Sequence, residues 1–295
     1  TDLNDYSIGI EDVLKEHFDE ENIVYWMAFQ ILMGNVDTQN RNVYLYSPLN
    51  SDIWYFIAWD NDGCLMRPEY ELRNFSDQNS WEKGISNYWG NILFQRCLKS
   101  RSFREKLNDA ILDLREYLNK DMLISKIESY KNVLKPYLYS MPDAEYEPLT
   151  SEQYDQIVAS LPDEIEKNYQ LYLESLETPM PFYIGVPTID GNKLKFNWDV
   201  SYDLDAEDIT YSVEVARDYL FQDVIYHNTT LTVPETEMDL PEAGQYFVRI
   251  RATNTSGKTQ DAFDYYVTDE GKHYGMKCFY ITEDNTVEED IYEEG

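Results

Sequence analysis

From Glu11 to Met33 the chain has neither Gly nor Pro, and its polarity changes along the way: a charged opening, Glu11 to Asn22, leads into an almost continuous apolar run, Ile23 to Met33. This pattern predicts a helix driven into a core. Gly34 is placed to stop it, and Asn35 to Asn42 reads as a polar loop. Val43 to Tyr46 and Ile53 to Ile57 are β-rich runs on either side of Pro48, Asn50 and Ser51, which predicts a hairpin. The second run leads into Trp59-Asp60-Asn61-Asp62-Gly63. An irregular stretch then extends to about Ser86. Helical patterns follow near Tyr88 to Leu98, Ser102 to Leu118, Met122 to Leu138 and Ser151 to Leu176.

Thr178-Pro179-Met180-Pro181 is a break, and beyond it the hydrophobic period changes to two. Leu194, Phe196, Trp198 and Val200 alternate with polar neighbours, as do Ile209, Tyr211, Val213 and Val215. Tyr246, Val248, Ile250 and Ala252 repeat the pattern, and Phe263, Tyr265 and Val267 close it. Such alternation predicts strands with one face buried, packed as a sandwich. The organisation expected is therefore a mainly helical domain over residues 1–178 with one small hairpin, an all-β domain over 179–268, and a terminal segment over 269–295. In that last segment Met276 to Ile281 is an extra strand, and the run from Glu283, with seven acidic residues and no basic one, is a solvated tail. The fold class is multidomain α+β.

Charge narrows the partners. Lys and Arg total 24 against 56 Asp and Glu, a formal net charge of −32, which opposes any surface built to track phosphate backbones or anionic lipid. Nucleic acid is not an expected partner, and a basic protein would be drawn in. No apolar run reaches transmembrane length, so no membrane insertion is expected, and the first residues carry no signal-peptide pattern. Cys64, Cys97 and Cys278 are too few and too scattered for a disulfide framework or a Cys-x-x-Cys zinc site.

Leu194 to Trp198, Ile209 to Val213, Leu240 to Tyr246 and Arg249 to Asn254 resemble, in order, the strands of a fibronectin type III domain. The resemblance covers about Pro181 to Thr268. Trp198 falls where that immunoglobulin-like family keeps a core tryptophan, and Tyr246 where it keeps a tyrosine corner. Such modules serve as spacers or binding surfaces, and the fold assigns no activity.

The chemistry is in the first domain. In protein kinases a helix leads into a loop bearing Asp with Asn five residues later, a hairpin follows, and then an Asp that holds Mg2+. Asp37 and Asn42 have that spacing behind the apolar helix, and Asp60 leaves the hairpin beside Asp62. In-line phosphoryl transfer needs a carboxylate to orient and accept the proton of the attacking hydroxyl, the role that suits Asp37. It also needs hard oxygen ligands for Mg2+, which Asn42, Asp60 and Asp62 supply. Taken singly these residue types are turn formers, and only the joint spacing carries the reading.

Gly34-Asn35-Val36-Asp37, Arg41-Asn42-Val43-Tyr44-Leu45-Tyr46 and Ile57-Ala58-Trp59-Asp60-Asn61-Asp62-Gly63 together resemble the core motifs of the CotH family of spore coat kinases. The resemblance implies the C-terminal lobe of an atypical protein kinase that moves the γ-phosphate of ATP to Ser of a protein rich in Ser, Lys and Arg, with Mg2+ or Mn2+. It places Asp37 as the catalytic aspartate and Asp60 as the metal-binding one, and it implies a spore-coat or cell-surface location. Asn35 and Val36 stand where typical kinases have His and Arg, and Asp-Asn-Asp-Gly replaces Asp-Phe-Gly. No Gly-rich phosphate loop or strand lysine precedes the helix, so a nucleotide-binding lobe is expected outside these residues. Arg67-Pro68-Glu69 has the look of the Ala-Pro-Glu that closes an activation loop, but it lies too near Asp60 and is set aside. The alternative reading is a non-catalytic surface protein whose kinase-like half serves as a scaffold. A Ca2+ site at Asp37, Asp60 and Asp62 lacks the EF-hand ligand pattern, and nothing specific marks a glycosidase carboxylate pair.

Overall fold

Asp19 divides the helix expected over Glu11 to Met33 into α1 (Ile10–His17) and α2 (Glu20–Met33). Its carboxylate accepts the Asn22 amide at 2.9 Å and caps α2, while Phe18 stays extended and bridges to Trp54. One capping acid within an acidic run has no distinctive sequence signal. The structure is a computed structural model and describes residues 2–38, 41–73, 81–269 and 271–290.

α2 buries Ile23, Val24, Trp26, Met27, Ala28, Gln30, Ile31 and Leu32, nearly all the way round, as its apolar run requires. Gly34 ends it at φ +60°, with Gly34 N donating to Ile31 O and Asn35 N to Gln30 O. This Schellman arrangement is open to glycine at little cost and turns the chain sharply into the next loop. The expected hairpin is present as β1 (Tyr44–Tyr46) and β2 (Tyr55–Ile57), with Leu45 opposite Phe56. Asn22 fastens it to α2, accepting from Phe56 N at 2.6 Å and donating to Phe56 O at 3.1 Å. The Phe56 ring lies 4.8 Å from that of Trp26 and 5.8 Å from that of Phe94.

α3 (Arg67–Leu72) lies in the stretch read as irregular, with Pro68 in its first turn. The remaining helices are α4 (Ile92–Lys99), α5 (Arg101–Tyr117), α6 (Lys120–Leu138) and α7 (Ser151–Glu177). α5 packs Phe103, Leu107, Ala110 and Ile111 into the core, whereas α6 buries no residue. Among the described residues no helix is long and apolar enough to cross a membrane.

The described residues form two compact units. The first ends at Leu173; the second begins at Glu174 and also takes in Trp81 and Glu82. The division falls inside α7, ahead of the Thr178–Pro181 break, because the last turn of that helix belongs to the second unit: Asn254 donates to Glu177 O at 3.0 Å.

The second unit is rich in β structure. One path of antiparallel strands runs β13 (Val287–Glu289), β12 (Met276–Ile281), β8 (Gly244–Asn254), β5 (Ile209–Ala216) and β6 (Val224–Leu231), with β9 (Thr259–Asp261) also on β8. A second sheet runs β3 (Thr188–Asp190), β4 (Lys193–Asn197), β7 (Glu235–Asp239). β10 (Tyr265–Thr268) and β11 (Gly271–Tyr274) pair with each other. Leu194, Phe196 and Trp198 share one buried cluster with Tyr211, Val213, Val215, Tyr246, Val248, Ile250 and Ala252, so the period-two positions do face inward. Val200 does not: β4 ends at Asn197 and Val200 is exposed. The acidic run from Glu283 is not wholly a tail either. Asn285 turns it at φ +56°, and Val287–Glu289 pairs with β12, where Val287 packs on the core and Glu289 meets Lys277 at 3.1 Å.

Candidate functional site

Two loops meet at the end of α2. In the first, Val36–Thr38 forms a 3-10 turn that carries Asp37. Asn35, 2% exposed, organises it: its Oδ1 accepts Asp37 N at 3.2 Å, and its carbonyl accepts Thr38 Oγ1 at 3.2 Å. The buried Tyr88 hydroxyl shares a 3.0 Å hydrogen bond with Thr38 Oγ1, and Asn87 donates to Val36 O at 3.4 Å. Burial holds the Tyr88 hydroxyl well above the usual tyrosine range, so it stays protonated as a hydrogen-bonding post.

The second loop begins at Asp60, held in the left-handed region at φ +51°, and continues as the 3-10 turn Asn61–Gly63. Gln30 ties it to the first: its Nε2 donates to Asn61 Oδ1 at 3.1 Å, and its Oε1 accepts from Asn35 at 2.9 Å. The loops approach so closely at Gly63 that a Cβ there would lie 2.9 Å from both Asn35 Oδ1 and Asp37 Oδ2.

The carboxylates feel one another. The Asp60 carboxyl is raised above its ordinary range, first by the charge of Asp62, then by desolvation, by a hydrogen bond with Asp62, and by the charge of Asp37. Cys64, the next residue after the turn, is pushed up to about 12 by burial and then by the charge of Asp62. The charges of Asp62 and Asp37 thus both reach Asp60. The three carboxylates do not close into a tight nest: among the described residues the one set of acidic, His or Cys ligand atoms all within 4.8 Å of one another is Asp2, Glu16 and His17, where Asp2 already holds His17 Nε2 at 2.8 Å. Asn42 stands half-buried just before β1 at φ +53°, and no hydrogen bond among the described residues joins it to the three carboxylates. Gln39 and Asn40, part of the expected loop, lie outside the described residues.

The donor chemistry fits a hard divalent cation. Asp60 and Asp62 offer carboxylate oxygens on one turn with no basic residue between them, and the charge of Asp62 is the first cause of the raised Asp60 carboxyl. Gln30, Asn35, Asn61, Gly63, Asn87 and Tyr88 complete the site, and the sequence reading assigned none of them a role. Asn35, Asn61 and Gly63 stood within the motifs without a role of their own, and Gln30 carried a signal as a polar side chain inside the apolar run of α2 that is 0% exposed.

The first unit thus sets an Asp-bearing turn against an Asp-Asn-Asp-Gly turn. Residues 2–172 match the family model described as CotH kinase protein. The match takes in more than half of the 295 residues, so the chain belongs to the CotH kinase family, and its function at that level is kinase-like. No curated protein matches the chain. Among solved structures, the twitchin kinase region from C. elegans aligns at 16% identity over 32% of this chain and 20% of that one, with a TM-score of 0.24. This chain therefore spans about a fifth of that structure, and a likeness at that level carries no argument.

Proposed function

We propose that the first unit transfers the γ-phosphoryl group of ATP to a serine hydroxyl of a protein substrate. The observation that carries this is the convergence of Asp37 with Asp60 and Asp62 on two loops stitched together by Gln30, Asn35 and Asn61. Asp37 orients the incoming hydroxyl and accepts its proton at a carboxylate oxygen. Asp60 and Asp62, with Asn42 as the amide oxygen, would hold Mg2+ or Mn2+, which would supply positive charge to the phosphates when bound. Asn35 and Tyr88 keep the Asp37 turn in place, so that its carboxylate is preorganised.

The substrate in this reading is a basic, serine-rich protein, since a chain of net charge −32 favours encounter with cations. The second unit is read as a fibronectin type III-like module, supported by Trp198 in its core and by Tyr246, whose hydroxyl donates to Glu242 O at 2.8 Å in the manner of a tyrosine corner. A spore-coat or cell-surface location accompanies that reading.

The test is transfer of radiolabelled phosphate from ATP to a serine-rich basic peptide, with Mg2+ or Mn2+, by the full-length protein and by Asp37→Ala and Asp60→Ala. Transfer is expected for the parent and lost in both variants. Label that persists in both removes the assignment; a parent that transfers none favours a scaffold role.

A further inference from the structure

Arg67 opens α3, the first helix after the Asp60–Gly63 turn, and its guanidinium reaches across to α7. Nη1 donates to Glu164 Oε2 at 3.2 Å and Nη2 to Asn168 Oδ1 at 2.6 Å. Glu164 and Asn168 are four residues apart, on one face of α7, and are 1% and 3% exposed. Asn168 then passes the connection on: its Nδ2 donates at 2.9 Å to Leu32 O, a last-turn carbonyl of α2 that has no partner within its own helix. Beside it, Leu65 N donates to Met33 O at 2.8 Å, and a Cβ on Gly34 would lie 2.7 Å from Asn168 Nδ2.

One face of α7 thus holds both the segment that launches Asp37 and the segment that leaves the Asp60–Asp62 turn. Apolar side chains would hold three helices together without placing buried charge, and a buried ion pair is weak evidence for stability. What a forked, directional network adds is register: two N–H groups at a fixed angle select two acceptors, and a slide of either segment breaks both bonds.

We propose that Arg67, Glu164 and Asn168 are positioning residues that fix the separation of Asp37 from Asp60 and Asp62. The role rests on the phosphotransferase reading above. It touches no reacting atom; it sets how far the proton acceptor stands from the cation ligands, where a displacement of about 1 Å costs on the order of a hundredfold in rate.

The experiment uses the full chain and compares the parent with Arg67→Lys, Asn168→Ala, Glu164→Gln and Asp60→Ala. Mn2+ alone is titrated, with free Mn2+ followed by electron paramagnetic resonance, and phosphate transfer and Tm are measured in parallel. Arg67→Lys keeps the charge but not the fork. It is expected to weaken Mn2+ about tenfold and turnover by about a hundredfold while the protein stays folded. Glu164→Gln, which keeps an oxygen for Nη1, is expected to stay closer to the parent. A purely structural role would lower Tm and leave the Mn2+ affinity of the folded fraction unmoved. Parental Mn2+ affinity in both Arg67→Lys and Asn168→Ala overturns the proposal, as does a parent that shows no Mn2+ binding. Mn2+ binding that Asp60→Ala abolishes and Arg67→Lys weakens supports it, even if the parent transfers no phosphate; that combination removes the kinase reading alone.

Discussion

Asn35 Nδ2 donates to Gln30 Oε1 at 2.9 Å, and both residues are buried, at 2% and 0% exposure. Because Gln30 Nε2 also donates to Asn61 Oδ1 at 3.1 Å, this amide pair is part of the seam between the Asp37 loop and the Asp60 loop. Removing one partner strands the other without water. Gln30→Met or Asn35→Leu is therefore expected to cost about 1–3 kcal/mol, while the double variant costs less than the two combined. Urea unfolding of the four proteins checks it, and additive losses would show that the seam is not cooperative.

Gly63 matters for closeness alone. With 2.9 Å between a Cβ and both Asn35 Oδ1 and Asp37 Oδ2, Gly63→Ala must push the Asp37 carboxylate aside. Turnover is expected to fall on the order of a hundredfold with little change in Tm. Gly9→Ala, where the nearest atoms are at 3.6 and 3.7 Å, serves as the tolerant control.

In the second unit the Tyr246 hydroxyl donates to Glu242 O at 2.8 Å while its ring sits in the core. Tyr246→Phe keeps the ring and removes the bond, so a loss of about 1 kcal/mol is expected, read as a lower midpoint in urea with an unchanged slope. An unshifted midpoint would show that this hydrogen bond does not stabilise the unit.

Asp264 carries a pH dependence. Burial raises its carboxyl above the ordinary value, and the hydrogen bond from Ile184 N at 2.7 Å and the charge of Lys277 at 3.3 Å only partly offset this. The folded state thus binds a proton that the unfolded state releases near pH 4, so this group's contribution to stability falls as pH rises from about 4 through the raised folded value. Asp264→Asn keeps an oxygen for Ile184 N and is expected to flatten that part of the profile. Urea midpoints between about pH 4 and about pH 7 decide it; identical profiles would remove Asp264 as the cause.

Local periodicity and spacing were readable in the sequence, and distant partners were not. Leu194, Phe196, Tyr211, Val213 and Ile250 reveal their buried face because a strand alternates every second residue. Asp37 and Asp60 stand out because the loops that carry them flank a hairpin short enough to recognise. Asp19 caps α2 unseen among other acids, and Val287 enters a strand from within an acidic run. Arg67 looked like a stray motif because Glu164 and Asn168 lie 97 and 101 residues further along the chain. Such pairings are set by packing, and no local pattern encodes them.

α2 and α6 are both regular helices, yet one is buried nearly all round and the other has no fully buried residue. Opening α6 uncovers no fully buried side chain of its own, so its amide hydrogens are expected to exchange with solvent through local opening. Those of α2 are expected to be released only when the first unit comes apart as a whole. The helix that delivers Asp37 is therefore expected in the slowest-exchanging part of its unit, and the Asp37 turn inherits its steadiness from that protection.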